Sequence, residues 1–359
     1  MADRMGIDIE TSERGRERVR TIAGTLILLV CVATSHAGVT IPDPLGASDP
    51  ELTRDLQAIA TELGIDTLAK AGKASLIIVD LHDPAGSPGS PGSPAPGRTL
   101  LPRPVHAGLA DDSTLGAASM AKLAILTAAY DAAASGELEI TPDVRRTLER
   151  MIRDSRNPEA TRMIEILGFE RIAAALENPR IGLHSAAKGG LWVGKDYSSP
   201  QARLWRAEPQ SGEGHAASAA SVARFYALLD RGELVSREAS AAMGEILAVT
   251  TRNHKFVAGL SAAAAESSAS ATPAAVDGQP VTIPGYTILR KSGSYGPWQG
   301  DSALVEAAGR RYILVCLLAD RDGGEAKLRK LAVRVDRLMA ERGAEPGVVR
   351  SSERGTKSD

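Results

Sequence analysis

Only two cysteines, Cys31 and Cys316, occur in 359 residues. If the first is lost with a leader, no intramolecular disulfide can form. The six histidines, His36, His82, His106, His184, His215 and His254, are scattered. There is no HExxH run and no metal-ligand spacing, so no metal is expected. No glycine-rich phosphate loop opens a helix, so no nucleotide and no other cofactor is expected. A net charge of -2 gives no electrostatic reason for a nucleic-acid partner. The apolar run Thr21 to Val32 is shorter than the ~20 residues a membrane span prefers.

What is present is an ordinary globular balance, 43% hydrophobic and 24% charged, long enough for one large domain or two small ones. Arg14, Arg16, Arg18 and Arg20 crowd before the apolar run, which ends near small residues Ser35 and Ala37. This is the layout of a secretory signal over residues 1–37, with Gly38 opening a secreted or periplasmic protein. An uncleaved N-terminal anchor is the alternative. Lipidation at Cys31 is a third option, disfavoured by the bulky Val30 before it.

After a linker at 38–47, Ser48 to Ala71 reads as a helix opened by a Ser48–Glu51 capping box. Ala74 to Leu81, ASLIIVDL, reads as a buried strand, and the PAGSPGSPGSPAPG stretch within 84–98 as a flexible insertion. Helical spacing returns from Ser119 to a stop at Gly136, then over Thr141 to Met151, Arg153 to Gly168, Ala217 to Asp230 and Arg237 to Leu247. Ile181 to Ala207 reads as loop, and the alanine- and serine-rich 262–275 as a second flexible insertion. Ile283 to Arg290 and Asp301 to Leu318 predict strands, the latter a hairpin turning at Ala308 to Arg310 with Cys316 buried. A final helix spans Gly324 to Arg342, before a disordered tail at 343–359. One strand near the front and several near the back predict an α+β domain over 48–342, its antiparallel sheet closed by both chain ends.

Three short motifs carry nucleophile chemistry. In GAASMAKLAIL, Ser119 and Lys122 lie three apart, so a helix sets both on one face. A serine hydroxyl needs a base beside it, and a lysine with a lowered pKa can serve. Alone, the pair reads rather as a helix cap followed by a solvated lysine, and about one SxxK is expected by accident in such a chain. SRN at Ser155 to Asn157 and KSGS at Lys291 to Ser294 follow in order.

That order resembles the penicillin-recognising serine enzymes, class A β-lactamases and D-alanyl-D-alanine peptidases, marked by SxxK, SxN and K(S/T)G. The resemblance spans about residues 48 to 342 and implies an α/β/α, β-lactamase/transpeptidase-like fold. Its parts would be a five-stranded antiparallel sheet flanked by helices and an all-helical subdomain. It implies that Ser119 attacks, Lys122 takes its proton, Ser155 relays a proton to the leaving amine, and Asn157 holds the substrate amide and Lys122. Lys291 would keep a positive field, Ser292 would bind a substrate carboxylate, and Gly293 would leave the strand bare. The backbone N–H groups of Ser119 and Ser294 would form an oxyanion hole, typically worth roughly 3 kcal/mol of barrier. The implied substrate is a β-lactam or cell-wall peptide, and the implied state a monomer.

Several features depart from that pattern. Arg156 stands where the commoner SDN has an acid, and the short interval from Ser119 to Ser155 predicts a more open cleft. The loop after Gly189 lacks the ExxLN glutamate that activates the deacylating water; Glu208, Glu213, Asp196 and His215 are substitutes that spacing does not separate. Trp192 and Trp205 read as packing residues. The expectation is a secreted serine acyl-hydrolase. Its rivals are a penicillin-binding peptidase and a non-catalytic binder of cell-wall fragments.

Overall fold

The seven residues Ala74–Asp80 are buried without exception, and in the computed structural model, which describes residues 43–81, 104–197, 202–267 and 279–343, they form strand β2. Short β1 (Ala47–Ser48), helices α1 (Pro50–Glu62) and α2 (Ile65–Lys70) precede it, and β3 (Val105–Leu109) follows. The last part of the chain adds β9 (Tyr286–Tyr295), β10 (Trp298–Ala307) and β11 (Arg310–Ala319). The sheet order is β1-β3-β2-β11-β10-β9. Its five long strands run antiparallel, as expected, and the two-residue β1 adds a sixth at the edge, parallel to β3. The fold is therefore the expected α+β class with one more strand than the expected five.

Alternation along these strands divides the core in two. Ile77, Val79, Ile313, Val315 and Leu317 face one side, and Leu76, Ile78, Tyr312, Leu314, Cys316 and Leu318 the other. On the second side lie α1, α9 (Lys255–Ser267) and α10 (Gly324–Gly343), whose Leu328, Leu331 and Val335 point inward as their spacing predicts. On the first side, α3 (Lys122–Ala134) is wrapped by α4 (Pro142–Arg153), α5 (Asn157–Leu167), α6 (Phe169–Glu177) and α8 (Arg237–Leu247), while α7 (Ala219–Asp230) packs on β2 and β11. Ten of the thirteen α3 residues are buried, so this helix is apolar nearly all round.

Local chemistry shifts some boundaries. The cap of α1 is Asp49, whose Oδ1 accepts from Glu51 and Leu52, rather than Ser48. Gly64, at φ 69°, splits the predicted 48–71 helix into α1 and α2. The 262–275 stretch is helical as far as Ser267, because α9 buries Phe256, Val257 and Leu260 and carries the alanines along. Ile181 to Ala207 contains small pairings rather than plain loop: β5 (His184–Ser185) with β6 (Gly189–Gly190), and β7 (Trp192–Val193) with β8 (His215–Ala217). The segments 1–37, 84–98, 268–275 and 344–359 lie outside the described residues. No described helix is long and apolar enough to cross a membrane.

Candidate active site

Strand β4 (Leu115–Gly116) pairs with β8 and delivers the chain to Ser119. A Cβ on Gly116 would come within 2.3 Å of the Trp298 indole, so only glycine fits between β4 and the β9–β10 hairpin. Ala117 N–H donates to His215 O at 2.9 Å. Ala118 then takes φ 47°, a left-handed conformation costly for a residue with a side chain. A 3-10 turn, Ala118–Ala121, follows, and α3 begins only at Lys122. The predicted continuous helix from Ser119 is thus a tighter turn feeding a helix. Its three residues per turn still set Ser119 and Lys122 on one side.

Lys122 is fully buried, and its Nζ donates to Ser155 O at 2.5 Å and to Asn157 Oδ1 at 2.9 Å. Its described hydrogen bonds go to the SRN loop rather than to Ser119. The ammonium also stands 4.8 Å from the centre of the Tyr197 ring. Burial, reinforced by the Arg252 charge and opposed by Glu159, brings its pKa down to about 7. Ser155 sits at φ 57°, turning the chain from α4 so that Asn157 opens α5. Arg156, the unusual member of this motif, pairs with Glu159 in the first turn of α5 at 2.7 Å.

On the facing strand, Lys291 Nζ donates to Ser155 Oγ and to Ser292 O, both at 2.9 Å. Burial first, then the Lys122 and Arg290 charges, push this ammonium well below its ordinary pKa. A Cβ on Gly293 would lie 2.4 Å from Ala117 O and 2.9 Å from the Ser119 nitrogen. The strand therefore lies directly against the turn that carries Ser119. Ser292 Oγ is 3.5 Å from His254 Nε2.

Three motifs meet in a cavity of about 180 Å³: Ser119, Asn157 and Ser294 line it, with Asp196, Tyr197 and His215 on the loop side. Lys291 and Ser155 are not among the lining residues but bond to each other, and Ser292 Oγ is nearest His254. Tyr197 Oη donates to Ala118 O at 3.2 Å, bracing the strained turn. At the mouth, Lys195 Nζ lies 5.3 Å from the centre of the exposed Tyr295 ring.

The four loop candidates separate. Asp196 and His215 line the cavity. Glu208 is buried elsewhere, its Oε2 accepting from Gln210 and Ser211 and its Oε1 lying 3.3 Å from His184 Nε2. Its carboxyl serves the loop, not the cavity. Glu213 is not among the residues lining the cavity, and its carbonyl accepts from Glu208 N–H. Trp192 stacks between His184 and Trp205, with ring centres 4.6 and 5.7 Å away, as packing residues do.

Motif reading missed Lys255. Its buried Nζ donates to Gly293 O at 2.6 Å, Ser294 Oγ at 2.7 Å and Gly300 O at 3.2 Å, tying β9 to β10 beside the cavity. Burial lowers its pKa to about 8, with Asp301 opposing and Arg290 assisting. The buried Arg290–Asp301 pair, 2.7 Å apart, sets this lysine in place. Arg290 donates to Arg252 O and His254 O, and Asp301 Oδ2 accepts Phe256 N–H, so both ends of the turn around Lys255 are held. A single lysine with no repeat or spacing partner offers no signal by which sequence could have found it.

A sheet covered on both faces, with a helical subdomain whose seam holds a serine, two buried lysines and an asparagine, defines the serine β-lactamase and penicillin-binding class. The β-lactamase enzyme family matches residues 139–337, more than half of the chain, and the chain belongs to that family. No curated protein matches it. Among solved structures it is similar to PBP-A, at 17% identity and TM-score 0.53 over 81% of this chain and 97% of that one. It is also similar to a β-lactamase from Sphaerobacter thermophilus, at 14% identity and TM-score 0.52 over 79% of this chain and 98% of that one. An ancestral class A β-lactamase gives 16% identity and TM-score 0.53, over 80% of this chain and 99% of that one.

Proposed function

We propose that the protein is a serine acyl-hydrolase that opens a β-lactam, or a related amide or ester, through an acyl-enzyme on Ser119. The observation that carries this reading is the convergence of the Lys122 and Lys291 ammonium groups on Ser155, beside the cavity that Ser119, Asn157 and Ser294 line. Lys122, with a pKa near 7, exists partly as the free amine at neutral pH and can take the Ser119 proton as Oγ bonds to the carbonyl carbon. The Ser119 and Ser294 N–H groups face the developing oxyanion, and Ser155, held by Lys291, returns a proton to the leaving nitrogen. Asn157 shares its amide between Lys122 and the substrate. Residues 1–37 would export the protein, placing it where β-lactams and cell-wall peptides are met.

Slow release of the acyl group, as in a penicillin-binding peptidase, is the second reading, favoured by the loop's lack of an ExxLN glutamate. Similarity to PBP-A, a variant of which is known as an acyl-enzyme complex with penicillin G, fits either reading. Mass spectrometry after incubation with penicillin G tests both. The intact chain gains the mass of the drug, Ser119→Ala gains none, and Lys291→Ala gains it more slowly. Absence from the unsubstituted protein of both a mass gain and conversion of penicillin G to its hydrolysed product rejects the proposal.

A further inference from the structure

Hydrolysis of an acyl-enzyme needs a group that takes a proton from water at the acyl carbon, and the loop supplies no ExxLN glutamate for it. We propose that His215 is the catalytic residue that activates this water, an assignment that rests on the acyl-enzyme reading above. His215 lines the same cavity as Ser119, and its own carbonyl accepts the Ala117 N–H, two residues before the nucleophile, at 2.9 Å. The backbone of His215 is therefore fixed to the segment that carries Ser119.

The tautomer follows from one contact. Nε2 lies 2.9 Å from Lys195 O, and a carbonyl oxygen only accepts, so Nε2 carries the proton. Nδ1 then holds the ring's lone pair. It makes no hydrogen bond among the described residues and is absent from the sealed, partnerless polar atoms there, which are His106 Nδ1, Tyr130 Oη, Glu159 Oε2 and Arg311 Nε. The ring stacks on Tyr197 with centres 3.9 Å apart and planes 12° from parallel, which fixes its orientation. Burial, joined by the Lys195 and Lys122 charges and opposed by the Lys195 carbonyl and Asp196, holds its pKa to about 3. The ring is thus neutral at neutral pH and Nδ1 is unprotonated, although the same burial leaves it a weaker base than an ordinary histidine.

The competing groups are engaged elsewhere. Asp196 Oδ2 accepts the Arg203 N–H at 3.0 Å and closes the loop. Lys122, bonded to Ser155 and Asn157, is the base assigned to the acylation step. In the step itself, the water oxygen bonds to the acyl carbon while one water proton passes to His215 Nδ1. The carbonyl re-forms, the bond from carbon to Ser119 Oγ breaks, and the proton on Nδ1 goes to Oγ. The product acid leaves with the water's hydroxyl, and both side chains return to their starting states.

The test separates the two half-reactions with penicillin G and time-resolved mass spectrometry of the full chain. His215→Gln keeps an amide N–H for Lys195 O but removes the basic nitrogen. It should acylate within about twofold of the unsubstituted rate, which also reports an intact fold, and release the penicilloyl group roughly 100-fold more slowly or worse. Release at the unsubstituted rate overturns the proposal. So does a parallel fall in both steps, which marks a structural role, or slow release in Asp196→Asn with normal release in His215→Gln. A stable acyl-enzyme on the unsubstituted protein also overturns it, while leaving acylation at Ser119 standing. No acylation at all removes the reading on which it rests.

Discussion

An amine 0% exposed and bonded, among the described residues, to neutral oxygens carries its charge at a cost, and under the proposed mechanism this cost at Lys122 would set the pH range of acylation. An ordinary lysine, near 10.5, would present almost no free amine at neutrality, whereas Lys122 is half deprotonated near pH 7. The second-order rate of acylation by penicillin G should therefore climb with pH through about 7 and level above it. Arg252 is the second cause of the depression, so Arg252→Ala should move that rise to higher pH, visible in a stopped-flow pH profile. At this scale the sequence was informative where chemistry repeats a spacing: Ser119, Lys122, Ser155, Asn157 and the KSGS run stand out as short patterns. Lys255 does not. Its place depends on a φ of 52° and on the Arg290–Asp301 pair, and neither is written in the residues around it.

Between elements, the tightest constraint is the approach of β9 to the 3-10 turn. Gly293→Ala would set a methyl group 2.4 Å from Ala117 O, and backbone, not a flexible side chain, would have to give way. Since a shift of about 1 Å in a reacting group can cost 100-fold in rate, acylation should fall by at least that order. The melting temperature should fall as well, as differential scanning calorimetry would show. Helices and strands were legible from period and apolar content, and β2 is the clearest case. Their joints were less so: Asp49 rather than Ser48 caps α1, and the strained Ala118 turn looks like ordinary helix in sequence. The turn at Ala118 is decided by contacts with β8 and β9, and Asp49 is held by His106 of β3 and by Arg342, all far away along the chain.

Taken as a whole, the molecule keeps Lys122, Lys255 and Lys291 buried around one seam, which couples its stability to pH. Lys122 and Lys255 are lowered to about 7 and about 8 from 10.5, and Lys291 also lies well below that value. Between the folded and unfolded values, the unfolded chain binds more protons, so stability rises with pH over that window and is lost as pH falls toward 7. Each such proton contributes about 1.4 kcal/mol per pH unit. Urea midpoints should accordingly increase from pH 7 to 9.5, and Lys255→Met should flatten the slope. The antiparallel sheet closed by both ends was legible from the order of strands and helices. The sixth strand was not, because two residues carry no period.

The pairing of β2 with β11, Leu76 against Cys316, also governs when the protein can mature. During synthesis the apolar β2 leaves the ribosome long before its partner is made. Arg342, which reaches back to Asp80 at 3.4 Å and Asp49 at 2.5 Å, is later still. The nascent chain therefore carries a sticky, half-built sheet until β11 and α10 have been translated, and a holdase that shields β2 would serve it throughout that interval.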